Sequence, residues 1–323
     1  MKTILVTGVA GFVGQKTAQL LLRDGFNVVG IDNLNEYYDI RLKEYRLSQL
    51  TGKNGFKFIN IDIEDIDKLN EIMIDYKFQG VINLAARAGV RYSLENPNIY
   101  VSTNIQGSLN ILEISRKLGI EKFVLASTSS IYAGEEMPFS EKLSVNSPIS
   151  PYAATKKAAE LMAYSFHSVY GIDVSVVRYF TVYGPAGRPD MSIFRFIKWI
   201  DEGLNIQLYG DGTQARDFTY IDDIAEGTVK ALKKLDYEII NLGGGRDPVS
   251  LLKIIKMIEK RLNKKGNFEY ESFPKTDIKE TWADIKKAKK LIDWTPKITL
   301  EEGLDRTIDW YLKNKSWLKE IKI

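Results

Sequence analysis

Over the first 180 residues, short apolar runs alternate with longer amphipathic stretches. Thr3–Thr7 (TILVT) is apolar without interruption, which marks a strand buried on both faces. Val13–Arg23 then repeats its apolar positions at helical spacing. The alternation continues, predicting strands at Asn27–Ile31, Phe56–Ile61, Gly80–Leu84, Lys122–Ser127 and Asp173–Tyr179. Helices are predicted over Glu64–Ile74 and Ile99–Leu118. A further helix carries explicit start signals: Ser150 can cap it, Pro151 suits its first turn, and the run continues to Tyr170. Strands separated by helices connect through right-handed crossovers, so the expected fold is α/β, a doubly wound parallel sheet covered on both faces. After Phe180 turn residues cluster (YGPAGRPDM, YGDGTQARD, LGGGRDP) with helices between them. Residues 1–180 are therefore expected to form the sheet domain, with parts of later segments returning to it. Residues 181–323 are expected to form mainly a smaller, mixed α/β substrate domain.

Composition narrows the chemistry. Hydrophobic residues make up 44% and charged residues 27% of the chain, the balance of a soluble globular protein. The net charge of +3 arises from 45 basic and 42 acidic residues that are scattered along the chain. The lysines enriched near the C-terminus read as a solvated helical surface rather than a nucleic-acid patch. There is no cysteine, which excludes disulfides, thiolate catalysis and cysteine-type zinc sites. The single His167 cannot build a histidine metal site and, late in a predicted helix, is expected to be packed or at the surface. No run of about 18 apolar residues could span a bilayer. The N-terminus enters a strand directly, without the pattern of a signal peptide. No membrane or nucleic-acid partner is expected, and a cytoplasmic location is.

Residues 7–14 read TGVAGFVG, with Gly8, Gly11 and Gly14 between a strand and a helix. Glycine permits the tight turn and close backbone approach to a pyrophosphate, and the helix start offers free N–H groups. A glycine triplet alone is a weak signal. Here Asp32 closes the second strand, where a carboxylate can accept from a ribose 2′-hydroxyl and would repel a 2′-phosphate; this favours NAD over NADP. Asp62, after the third strand, reads either as an adenine contact or as a helix cap. Tyr152 and Lys156 stand four residues apart on the Ser150-capped helix and so share a face. A tyrosine is a poor base near neutral pH unless a nearby cation favours its phenolate. Four hydroxyls, Ser127 to Ser130, follow the fifth strand, where such sheets place their sites. One of them is expected to bond the Tyr152 phenol, and at least one to serve only the loop.

These motifs, with LAA (84–86), RYFTVYGP (178–185), RDFTYIDD (216–223) and the terminal TWADIKKAKKLIDWTP, resemble the extended short-chain dehydrogenase/reductase family of nucleotide-sugar epimerases, dehydratases and decarboxylases. The resemblance runs over nearly the whole chain. It implies a Rossmann-type fold, NAD as cofactor, a UDP-sugar as substrate, and a homodimer formed through a bundle that includes the Tyr152 helix. It assigns Tyr152 as catalytic base, Thr128, four residues before Tyr132, as the active-site hydroxyl, and Lys156 as the ligand of the cofactor ribose. Phe12, Val13, Ile63, Leu84, Ala85, Ala86 and Tyr179 join Gly8, Gly11, Gly14, Asp32 and Asp62 as cofactor contacts, and Arg216 is assigned to the UDP diphosphate.

Dehydratases of this family carry an Asp-Glu pair beside the active-site Thr, and UDP-glucuronate decarboxylases usually a Glu. Thr128-Ser129-Ser130 has no acid, which leaves C4 epimerisation. DNLNEYYDIRLKEYRL (32–47), LAARAGVRYSLENP (84–97) and FTVYGPAGRPDMSIF (180–194) are similar to UDP-glucuronate 4-epimerases. Epimerases of neutral UDP-sugars are the alternative and tend to have Asn in place of Thr181. For a carboxylated sugar, Ser129, Ser130, Thr181 and Arg188 are the expected contacts, since arginine can grip a carboxylate with two parallel hydrogen bonds. The segment FPKTD (273–277) departs from the family by placing Lys275 where many relatives have an Arg-Pro-Gly-Asp sequence, leaving the nucleotide ribose contact open.

Overall fold

A computed structural model describes residues 2–274 and 276–322; Lys275 lies outside the described residues. Strands β1 (Thr3–Thr7), β2 (Asn27–Asp32), β3 (Phe56–Asn60), β4 (Phe78–Asn83), β5 (Lys122–Thr128) and β6 (Asp173–Tyr179) form one parallel sheet. A seventh strand, Tyr237–Leu242, pairs with β6 at the edge, so a segment far along the chain completes the sheet. The order across the sheet is Tyr237–Leu242, β6, β5, β4, β1, β2, β3. Chain order reverses between β1 and β4, which opens a crevice at the C-terminal ends of the strands.

The apolar runs bury both faces because successive side chains point opposite ways. Leu5, Val29, Val81, Leu125 and Val174 pack on one side with Ile111, Ala159 and Ala163. Ile4, Val28, Ile82, Val124, Val177 and Ile240 pack on the other with Ala18, Leu21 and Trp294. A separate core gathers the later segments: Ile193, Phe194, Ile197, Ile206, Ile254 and Ile308. Phe12, on helix α1 (Phe12–Arg23), and Leu42, on helix α2 (Ile40–Ser48), belong to that second core and tie the two parts together.

The Tyr152 helix spans Pro151–Tyr170. The Ser150 hydroxyl accepts from the Ala153 N–H at 3.2 Å, and Gly171 ends the helix in the left-handed region at φ +71°. His167 is packed late on this helix, with Nδ1 2.9 Å from the Ile172 carbonyl. The single helix expected over 99–118 is instead interrupted. Pro97–Tyr100 leads into a π-helical turn, Val101–Gly107, and an α-helix resumes at Ser108–Lys117. The wide turn carries Asn104 inward. Its side chain accepts from the Arg87 N–H at 2.8 Å and donates to the Arg87 carbonyl and the Thr155 hydroxyl, both at 3.0 Å. Helix α2 is an element the apolar pattern does not predict.

Candidate active site

Two clefts of about 380 and 490 Å³ meet above the strand ends. Tyr37, Ser129, Ser130 and Thr181 line both, so the clefts are continuous.

The inner cleft begins at the glycine turn. Gly8 sits at φ +68°, and a Cβ there would come within 2.8 Å of the Ala85 nitrogen. A Cβ on Gly14 would overlap the Gly8 carbonyl oxygen, so α1 can start this close to β1 only with glycine. Asp32 ends β2 beneath the turn: its Oδ2 accepts from the Ala10 N–H at 3.1 Å and its Oδ1 from the Leu34 N–H at 2.9 Å. Asp62 accepts from Asn33 Nδ2 at 2.6 Å and from the Glu64 N–H at 2.9 Å. Each carboxylate oxygen keeps a further lone pair for a ligand hydroxyl or amine. Phe12, Val13, Ile63, Leu84, Ala85, Ala86 and Tyr179 line the same cleft. Two of its cations, Lys43 and Arg87, are not singled out in the sequence. Lys43, on α2, is buried with its ammonium 3.9 Å from Asp32 Oδ1, and Arg87 donates to Asn35 Oδ1 at 3.0 Å. Burial lowers the Lys43 pKa to about 8, more than neighbouring Asp32 can offset.

Thr128, Tyr152 and Lys156 converge at the junction of the clefts. The Thr128 hydroxyl stands by the Tyr152 phenol, where it favours the phenolate, and donates to the Ser130 hydroxyl at 3.1 Å. Burial raises the Tyr152 pKa, while the Thr128 hydroxyl and the Arg188 charge act in the opposite sense. A nearby ammonium was expected to favour the phenolate; the groups that do so here are Thr128 and Arg188. Burial also lowers Lys156, to about 8, opposed by Glu160 one turn further along the helix. Glu160 is itself held by a buried network. Its carboxylate takes the Ser127 hydroxyl at 2.6 Å and two guanidinium bonds from Arg178 at 2.9 and 2.7 Å. The Ser127 hydroxyl is thus spent on the scaffold, although Ser127 lines the inner cleft together with Thr128, Ser129 and Ser130. Removing one partner of a buried pair of this kind typically costs about 3–5 kcal/mol.

Elsewhere in the inner cleft, Arg188 is bonded by two nitrogens to Asp190, at 3.1 and 2.6 Å, and lies 5.6 Å from the centre of the Tyr37 ring. Burial works against its charge, but Asp190 outweighs burial and keeps it firmly protonated. Arg216 lies away from these residues, in the outer cleft, where it donates to Asp277 at 2.8 Å and to the Lys279 carbonyl at 3.1 Å. Arg91 stacks 3.7 Å from the centre of the Tyr209 ring beside it, and Arg195 lines the same wall. Neither was singled out in the sequence. The outer cleft therefore has the donors an anion with several oxygens needs, and the inner one the shape and donors of a dinucleotide site.

Comparison with known proteins agrees with this geometry. Residues 4–243 match the NAD dependent epimerase/dehydratase family. The chain is 59% identical over 319 residues to the UDP-glucuronate 4-epimerase of Thermodesulfobacterium geofontis, covering 99% of both chains. Among solved structures, UDP-glucuronic acid 4-epimerase from Bacillus cereus, in complex with UDP-glucuronic acid and NAD, superposes with a TM-score of 0.91. It shares 38% identity, over 97% of this chain and 99% of that one. The UDP-glucose 4-epimerase of Thermotoga maritima superposes with a TM-score of 0.88 at 31% identity, over 97% of this chain and 99% of that one. The chain belongs to the NAD dependent epimerase/dehydratase family.

Proposed function

We propose that this protein interconverts UDP-glucuronate and UDP-galacturonate by NAD-dependent epimerisation at C4. The observation that carries the chemistry is the convergence of Thr128, Tyr152 and Lys156 in one cleft, where the only carboxylates among the described lining residues are Asp32 and Asp62. Both of those lie at the ends of β2 and β3, and Thr128, Ser129 and Ser130 place no carboxyl group after β5, where a dehydratase of this family carries its acids.

The glycine turn, Asp32 and Lys156 hold NAD. When bound, NAD takes up hydride from sugar C4 and gives it back, and its oxidised ring adds a positive charge near Tyr152. Tyr152 accepts the O4 proton and later returns it. Thr128 holds the phenol and the sugar oxygen in line, and its hydrogen bond favours the phenolate. Arg216, with Arg91 beside it, clamps the diphosphate while the 4-keto sugar turns over. Because the sugar ring must present its other face, the clamp belongs on the diphosphate and not on the ring.

A 4-keto glucuronate is a β-keto acid and loses CO₂ if its carboxylate bond aligns with the carbonyl π system. Arg188, Thr181, Ser129 and Ser130 hold the carboxylate out of that alignment. The protein acts as a homodimer: Leu161 and Tyr164 stand three residues apart on the Tyr152 helix, share a face and are each more than half exposed, an apolar pair suited to a second copy. No helix among the described residues is long and apolar enough to cross a membrane. A cytoplasmic location is part of this reading, as is a role for the product in polysaccharide biosynthesis.

Tyr152→Phe tests the assignment of the base. It removes one oxygen and leaves the ring packed edge-on against Tyr100 at 6.1 Å. Turnover is expected to fall by at least about 100-fold, the usual contribution of a general base, with UDP-glucuronate affinity nearly unchanged. A variant with turnover within threefold of the parent rules Tyr152 out.

A further inference from the structure

Arg46, on α2, is fully buried, and none of the ion pairs among the described residues involves it. Its guanidinium is spent almost entirely on backbone carbonyls. Nε donates to the Ala186 carbonyl at 2.8 Å and Nη2 to the Gly187 carbonyl at 3.0 Å. Nη1 donates to the Tyr38 hydroxyl at 2.6 Å and, more weakly, to the Ala10 carbonyl at 3.4 Å. A buried cation without a carboxylate is expensive unless its donors are all used. Here four of the five N–H groups are used, and they join three segments that are far apart in sequence.

Each of the three segments touches the reaction site. Ala10 lies inside the glycine turn, and its N–H is already held by Asp32; Arg46 holds the carbonyl of the same residue. Ala186 and Gly187 directly precede Arg188. Ala186 adopts a left-handed conformation, φ +56°, which an alanine takes only when its surroundings impose it. Tyr38 follows Tyr37, whose ring faces Arg188.

From this we propose that Arg46 is a positioning residue coupling the cofactor's glycine turn to the placement of Arg188, and through it to recognition of the sugar carboxylate. The inference rests on the reading of Arg188 as the carboxylate ligand. The two halves of the site then share one support. Whatever settles the glycine turn around a pyrophosphate also settles the loop that presents Arg188. A lysine cannot substitute: its ammonium is a compact point donor and cannot span carbonyls arranged around a planar fork.

The test compares Arg46→Lys with Arg188→Ala and the parent, well below each protein's Tm. Two quantities are read: NAD retained after gel filtration, and calorimetric affinity of the NAD-saturated protein for UDP-glucuronate and for UDP, which has no carboxylate. Arg46→Lys is expected to lose NAD at least about tenfold more readily and to bind UDP-glucuronate about tenfold more weakly, with UDP unchanged within twofold. A merely structural arginine would lower the Tm and leave the ratio of the two ligand affinities alone. If Arg188→Ala weakens UDP-glucuronate while folded Arg46→Lys matches the parent in either NAD retention or UDP-glucuronate affinity, the coupling is overturned and the reading of Arg188 stands. If Arg188→Ala binds UDP-glucuronate like the parent, that reading falls and takes the coupling with it. Should Arg46→Lys fail to fold, Tyr38→Phe, which removes one of the partners of Arg46, decides instead. A fall of about threefold in both NAD retention and UDP-glucuronate affinity supports the coupling, and parent-like values overturn it.

Discussion

Replacing Thr128 with Val is the most informative single change, because the side chain keeps its shape and loses one oxygen. That oxygen acts on two neighbours. It favours the phenolate of Tyr152, and it bonds Ser130, donating to its hydroxyl at 3.1 Å and accepting from its N–H at 3.1 Å, which caps the short helical turn Ser129–Tyr132. Loss of a cap costs about 1 kcal/mol, and each kilocalorie shifts Tm by about 2–4 °C in a domain of some 200 residues. The variant should therefore fold, with a Tm a few degrees lower. The catalytic effect is larger. A hydrogen bond to a charged group contributes about 1.5–3 kcal/mol, and the bond to the phenolate exists only once the proton has moved. At about 1.36 kcal/mol per decade, kcat should fall by roughly 10- to 150-fold. The loss also removes an influence that lowers the Tyr152 pKa, so the pH profile should move to higher pH. Steady-state turnover of UDP-glucuronate from pH 6 to 9.5 measures both effects, with Thr128→Ser as the variant that restores the hydroxyl. A kcat within threefold of the parent, or an unmoved profile, would refute the role given to Thr128.

Other consequences are equally direct. Gly14→Ala places a methyl against the Gly8 carbonyl; the purified variant should lack NAD absorbance, whereas Gly25→Ala, with open space around its Cβ position, should retain NAD despite some backbone strain. Lys43 has a pKa lowered to about 8 by burial, and an anionic cofactor prefers its charged form. NAD affinity should then be full below pH 8 and fall as pH rises through it, a limb that Lys43→Gln should remove when NAD Kd is measured at pH 7, 8 and 9. The sign for stability is opposite: the buried ammonium penalises folding fully below pH 8, and the penalty is relieved as pH climbs toward the unfolded value near 10.4. Arg188→Ala should release a measurable UDP-pentose fraction or raise KM for UDP-glucuronate about tenfold, read by chromatography of the nucleotide products.

The parts of the fold legible in the chain are those that local spacing encodes. Thr3–Thr7, Asp173–Tyr179 and the Ser150-capped helix fall where the pattern puts them, because each is specified by neighbours within a few residues. The glycine turn and the Tyr152–Lys156 pair are likewise short-range, and the fold brings them into one cleft. Helix α2 escapes the pattern because its inward face is made largely of cations: Leu42, Lys43 and Arg46 are buried side by side, with no apolar periodicity. The π-helical turn at Val101–Gly107 escapes it because Asn104 is drawn inward by Arg87 and Thr155, contacts that are remote in sequence. Arg91 and Arg195 read as ordinary surface charges until the later segments fold over them. Legibility thus fails where a polar side chain is buried by a distant segment rather than by its own element.

A carboxylated sugar turned over at C4 undergoes no net redox change. The decisive measurement incubates purified protein with UDP-glucuronate and no added cofactor and follows the sugar signals by proton NMR. UDP-galacturonate should appear, without UDP-pentose, on NAD carried by the protein. No conversion of UDP-glucuronate even with NAD supplied, together with conversion of UDP-glucose to UDP-galactose, would contradict that reading.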